Sequence, residues 1–99
     1  MIELKTTKQF DALTGRFLVL FTASWCGPCR RMDKELLEEA ANEKSVPVYY
    51  SDDTVNPELA ARLGINKVPT FCLFSGKDLV ATKTSSDSIR VLLWLRGLL

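Results

Sequence analysis

Residues 17–40 read FLVLFTASWCGPCRRMDKELLEEA, and the order of events inside this stretch decides the fold. Phe17-Leu18-Val19-Leu20-Phe21 is an unbroken apolar run ending at small residues, the pattern of a central strand buried on both faces. From Cys29 to about Lys44, Met32, Leu36 and Ala40 recur at every fourth position, which predicts one amphipathic helix. Cys26 and Cys29 stand between strand and helix, three positions apart. On the first turn of a helix such a pair lies close enough to be joined. The first thiol then faces the unpaired N–H groups and positive dipole end of the helix, which stabilise a thiolate. Pro28 suits that turn because its missing N–H is not needed there, and Gly27 leaves room for a close backbone approach. A dithiol built this way can attack another molecule's disulfide and then release it.

Working outward, Thr7 to Leu13 forms a short helix with Phe10 and Leu13 on its apolar face. Val46 to Tyr50 reads as a second strand, rich in β-branched and aromatic residues. Asn56-Pro57-Glu58 opens another helix, with Asn56 as N-cap, and Gly64 closes it. Thr70 to Phe74 is a third strand, Gly76-Lys77 a turn, and Asp78 to Lys83 a fourth strand in hairpin relation to it. Ser86 or Asp87 caps a final helix that runs to Leu99. Alternating strands and helices imply parallel pairing with crossovers, and the closing hairpin adds an antiparallel pair. The result is an α/β fold: a mixed sheet with helices on both faces.

The 99 residues fit a single domain spanning 1–99. With 13 Lys+Arg against 12 Asp+Glu, nothing electrostatic points to nucleic acid or an anionic membrane. No apolar stretch approaches membrane-spanning length. Three cysteines are too few, and odd in number, for a secreted disulfide scaffold. The first five residues lack the basic-then-apolar start of a signal peptide, so the expected location is a reducing cytoplasm. With no His and only one further cysteine, Cys72, a zinc site is not expected, nor is any other metal.

Trp25-Cys26-Gly27-Pro28-Cys29, together with Asn56 to Ala60, Gly64-Ile65 and Val68-Pro69-Thr70 at matching spacing, resembles the thioredoxin family over nearly the whole chain. The resemblance implies the thioredoxin fold, a central mixed sheet of four to five strands flanked by helices on both faces. It implies a protein-disulfide reductase working through a redox-active Cys26–Cys29 disulfide, with no bound cofactor. Cys26 is then the exposed nucleophile and Cys29 the buried resolving thiol. Pro69 is cis and brings the Val68 backbone beside the thiols, where it pairs with an extended substrate segment. Trp25, Gly27 and Pro28 complete the substrate-binding surface. The partners are disulfide-containing proteins and a thioredoxin reductase that supplies electrons from NADPH.

The departures from the family pattern bear on mechanism. Leu20 stands where the family carries a buried aspartate, and Tyr50 where a lysine often partners it. Losing both together is consistent, since either charge alone in a core is costly. Asp33, four positions after Cys29, is then the candidate proton acceptor if it shares that helix face, the alternative being a solvated residue paired with Arg30 or a lysine. Lys34 replaces a kinking proline, so the helix is expected to run straight. Ser85 replaces a groove glycine.

Cys72, between Phe71 and Leu73, reads as a small buried hydrophobe. Asp52 and Asp53 read as a solvated pair at a strand end. Arg30 and Arg31 sit where a helix disfavours cations, and either stabilise the Cys26 thiolate, dock an acidic partner or are simply solvated. The last helix carries more apolar residues than one buried face requires, among them Ile89, Leu93, Trp94 and Leu98. A monomer is expected, with dimerisation through that helix as the alternative. The competing functional reading is a binding subunit that uses the fold as a docking surface, with redox chemistry secondary.

Overall fold

In the computed structural model, which describes residues 1–99, the chain runs β1 (Ile2–Glu3), α1 (Thr7–Asp11), β2 (Arg16–Thr22), α2 (Gly27–Arg31), α3 (Lys34–Asn42), β3 (Val48–Asp52), α4 (Pro57–Leu63), β4 (Thr70–Ser75), β5 (Asp78–Thr84) and α5 (Ser88–Leu98). The five strands form one sheet in the order β1-β3-β2-β4-β5. β1, β3 and β2 are mutually parallel, whereas β4 is antiparallel to β2 and β5 to β4. The fifth strand, β1, is too short to leave a periodic signal in the sequence.

β2 is central, and its side chains divide by the two-residue period of a strand. Leu18 and Leu20 enter one core with Leu37 and Ala41 of α3 and Val91, Leu92 and Leu95 of α5. Phe17, Val19 and Phe21 enter the other with Phe10 of α1 and Leu59 and Ala60 of α4. β4 divides the same way, Phe71 and Leu73 to the first core, Cys72 and Phe74 to the second. The second core is knit by aromatic contacts: Phe17 stacks on Phe74 at 5.2 Å, and Phe10 meets both rings edge-on. Cys72 is fully buried in this core, away from the other two cysteines. On α5, Ile89 and Leu93 face outward.

The helix expected from Cys29 to about Lys44 is broken in two. Met32 adopts an extended backbone (φ −69°, ψ 146°), and Asp33 starts α3 as its N-cap, its carboxylate accepting from Leu36 N at 3.1 Å. Spacing by four had suggested continuity, but an aspartate offers the backbone an alternative to continuing the helix. The groups freed at the break find partners. Asp33 N donates to Ser88 Oγ at 2.9 Å, and Lys34 Nζ donates to Cys29 O at 2.7 Å. The proline's absence at position 34 therefore leaves no straight helix. Asp33 is exposed and engaged in capping, so the continuous-helix placement that made it the proton acceptor for Cys29 does not hold. It forms no ion pair with Arg30 or a lysine either.

Two smaller differences concern β3 and α4. β3 begins at Val48, two residues later than expected, and continues to Asp52. Asn56 occupies the N-cap of α4 but its side chain makes no cap bond; Nδ2 turns instead to Leu4 O at 3.5 Å, joining α4 to the chain after β1.

Removing the cap at the break isolates its contribution. Asp33→Ala should lower unfolding free energy by about 1 kcal/mol and Asp33→Asn by a few tenths, as read from urea unfolding curves. Neither change should alter the rate of disulfide exchange.

Candidate active site

β2 ends at Thr22, and after three intervening residues the chain reaches Cys26, the N-cap of α2. Gly27 and Pro28 fill the first two helical positions, as the missing N–H of proline allows. Cys26 and Cys29 are joined in a disulfide across a Cα separation of 5.3 Å, and Cys29 N donates to Cys26 Sγ at 3.2 Å. Gly27 is roofed by a side chain: a Cβ there would lie 3.1 Å from Arg31 Nη1, so the guanidinium rests over the loop between the cysteines.

Both cysteines are buried in the disulfide state, Cys26 at 4% exposure and Cys29 at 1%. Cys26 is thus not exposed in this form, because Ala23 and Val68 pack with the pair into a small apolar cluster. The accessible features of the site are Trp25, at 69% exposure, and Pro28. Beside it lies a groove of about 360 Å³ whose walls include Trp25, Phe21, Ala60, Ile65, Lys67 and Val68. The Val68–Pro69 bond is cis. The loop before it is held by Thr70 Oγ1, which lies 2.7 Å from Lys67 O and 2.8 Å from Thr84 Oγ1. Trp25, Gly27, Pro28, Val68 and Pro69 thus gather around Cys26 and Cys29, while Asp33 caps a different helix. Ser85 makes a local turn, accepting from Asp87 N at 3.1 Å.

Leu20 and Tyr50 are partners in the β2–β3 register. Leu20 is fully buried, and Tyr50 directs its hydroxyl to Glu3 Oε1 at 3.4 Å. Desolvation, reinforced by Glu3, raises the Tyr50 pKa. The core behind the disulfide therefore carries no carboxylate at this pair.

The polar groups lie at the rim instead. A cleft of about 550 Å³ flanks the active-site loop, lined among others by Ala23, Ser24, Arg30, Lys34 and Asp52. Asp52 is not the solvated residue its sequence context suggested. Its carboxylate accepts from Ser24 Oγ at 2.6 Å, Ser24 N at 3.2 Å and Thr54 N at 2.9 Å, and also from Thr54 Oγ1. This latch ties the end of β3 to the residue before Trp25. The Asp-x-Thr spacing was the available signal, since an aspartate often accepts from the backbone two residues on. The link to Ser24 is long-range and had none. Burial pushes the Asp52 pKa up, but the donors from Ser24 and Thr54 outweigh it and hold the carboxyl below its ordinary 3.8. Lys34, the other missed residue, is half-buried, and desolvation lowers its pKa.

Because the Asp52 pKa is lowered in the fold, its stabilisation is complete above the unfolded value of 3.8 and is lost as pH falls through the folded value. Thermal melts of the wild type should therefore lose stability on acidification below about pH 4, and Asp52→Asn should flatten that loss. Asp11, whose pKa is lowered chiefly by its hydrogen bond from Arg62, should keep a residual slope.

No group of three or more His, Cys, Asp or Glu side chains is placed to share a metal ion. The family model described as Thioredoxin matches residues 2–93. The thioredoxin of Geodia cydonium is 42% identical over 82 residues, 77% of this chain and 77% of that one. The bifunctional thioredoxin reductase/thioredoxin of Mycobacterium leprae is 38% identical over 79 residues, 74% of this chain and 17% of that protein. In structure, the chain superposes on Plasmodium falciparum thioredoxin with a TM-score of 0.88, covering 100% of both chains at 20% identity. The family match spans nearly the whole chain, and a Cys-x-x-Cys disulfide stands at the start of α2. The chain therefore belongs to the thioredoxin family, whose members are protein-disulfide oxidoreductases.

Proposed function

We propose that Cys26 is the nucleophile and Cys29 the resolving thiol of a dithiol that reduces disulfides in extended protein segments. The observation that carries this assignment is the disulfide itself, seated between the exposed Trp25 and the groove that Val68 lines. The Cys26 thiolate attacks the substrate disulfide, forming a mixed disulfide and expelling one substrate thiolate. Cys29 then attacks Cys26 Sγ, which closes the Cys26–Cys29 bond and releases the second substrate sulfur. Cys26 is the first to react because it sits at the N-cap of α2, where the N–H of Cys29 points at its sulfur. The substrate main chain lies along the groove, with Trp25 and Val68 as apolar contacts and Pro69 shaping the loop.

The oxidised pair is returned to dithiol by a thioredoxin reductase using NADPH. The Mycobacterium leprae relative, a bifunctional thioredoxin reductase/thioredoxin, supports this pairing. The single domain works as a monomer in the cytoplasm, the location being supported by the sparse cysteines. The competing reading, a docking subunit, draws on the outward-facing Ile89 and Leu93 of α5.

With dithiothreitol as reductant, the wild type should reduce insulin disulfides well above the uncatalysed rate, and Cys26→Ser should abolish the gain. Wild-type reduction no faster than dithiothreitol alone would refute the reductase assignment. A Cys26→Ser, Cys29→Ser double variant that still supports growth in cells lacking the native chain would favour the docking reading, and loss of support is the expected result.

A further inference from the structure

If Cys29 is the resolving thiol, as assigned above, it must lose a proton at a position that is 1% exposed in the disulfide form. Its packing partners Ala23 and Val68 cannot accept one, and the Leu20–Tyr50 pair offers no carboxylate. The charged atom in contact with Cys29 is Lys34 Nζ, 2.7 Å from its carbonyl oxygen. Lys34 reaches this position because the break after α2 sets it at the start of α3, facing back across the gap.

We propose that Lys34 is a positioning residue for the resolving step, its ammonium anchored on the Cys29 carbonyl and stabilising the Cys29 thiolate. An ammonium seated on the carbonyl of a residue acts on that residue's thiol through space, and a half-buried cation nearby favours the ionised form. No salt bridge neutralises Lys34. The other ionisable groups lining the cleft are the Met1 amine, Arg30, Glu35, Glu38, Tyr50 and Asp52. Most are occupied elsewhere. Glu38 pairs with the Met1 amine at 2.7 Å, Arg30 donates to Ser24 O, Tyr50 donates to Glu3, and Asp52 accepts from Ser24 and Thr54. Glu35 is exposed and joins no salt bridge. Lys34 is thus the cation that contacts Cys29, with no salt-bridge partner of its own.

The step balances without a protein base. The Cys29 Sγ–H bond ionises and its proton passes to water. The thiolate attacks Cys26 Sγ, the Cys26–Cys29 bond forms, and the bond from Cys26 to the substrate sulfur breaks. The electron pair leaves on the substrate thiolate, which takes a proton from solvent. The cysteine pair is oxidised by two electrons and the substrate is reduced by two.

The test titrates Cys29 directly in the Cys26→Ser protein, by thiolate ultraviolet absorbance against pH. Cys72 stays silent because burial pushes its thiol to about 12. Adding Lys34→Gln should raise the Cys29 pKa by about one unit, and Lys34→Arg should restore it to within a few tenths. Lys34→Met, which keeps the aliphatic stem, should match the glutamine variant and stands in for it if that protein unfolds. With Cys26 restored, the neutral variants should slow resolution at neutral pH about tenfold. A Cys29 pKa unchanged in a folded neutral variant overturns the proposal. A lowered melting temperature with no pKa change also overturns it, leaving Lys34 as a tie between α2 and α3. Because the titration needs no turnover, it is independent of the insulin assay that tests the reductase assignment.

Discussion

Burial of β2 on both faces is the constraint from which the rest of the structure follows. Five consecutive side chains, Phe17 to Phe21, leave solvent, each contributing about 1.5–3 kcal/mol by area. That gain is available only if both edges of the strand are hydrogen-bonded and both faces are covered. β3 and β4 supply the edges, α3 and α5 cover one face, and α1 and α4 the other. The carboxyl end of such a strand is where a loop escapes the layers, and in open α/β sheets that is where ligands meet the protein. Ala23 to Cys26 occupy that place, so a reactive loop is carried by a strand buried on both faces.

The break between α2 and α3 acts on this loop from the other side. A continuous helix would have placed residue 33 one turn beyond Cys29 on the same face and sent the side chain of residue 34 elsewhere. The extended backbone at Met32 resets the phase, so that Asp33 serves α3 and Lys34 turns back to α2. Ending one helix and starting another forfeits backbone hydrogen bonds worth about 0.5–1.5 kcal/mol each. The cap on Leu36 N, the Ser88 acceptor for Asp33 N and the lysine on Cys29 O offset that loss. α2 is consequently a five-residue helix with its own C-terminal cation from Lys34, while the N-cap of α3, Asp33, is held to α5 through Ser88.

The parts legible in the sequence were those whose signal is local and repeated. The apolar run of β2, the hairpin at Gly76, Gly64 as a left-handed cap and an α5 N-cap at Ser86 or Asp87, which the structure places at Asp87, all follow from neighbours in the chain. The cysteine pair was legible because two thiols at helical spacing after a buried strand have few other uses. Three things were not. β1 is a strand of two residues and has no period. The break at Met32 was hidden by Leu36 and Ala40, which keep the spacing of a continuous helix while belonging to a new one. The Asp52–Ser24 and Lys34–Cys29 contacts depend on where the sheet and the break place distant residues, and side-chain type alone could not favour them over solvation.

The placement of charge around the disulfide has its own logic. A carboxylate behind the thiols would need a partner in the core, and a buried pair often stabilises less than apolar residues of the same volume. Leu20 takes the apolar option and packs in one core with Leu18, Met32 and Leu37. Ionisation is thereby moved to the rim, where Asp52 is held by hydroxyl and amide donors and Lys34 by a carbonyl. Such partners stabilise a charge without requiring a second charge inside. The two cores can then pack with no ionised carboxylate at the Leu20–Tyr50 pair, while Asp52 and Lys34, whose pKa values the fold lowers, touch the active-site loop itself. Stability and reactivity are coupled at the Ser24 and Cys29 attachments, and the interior of the sheet has no part in that coupling.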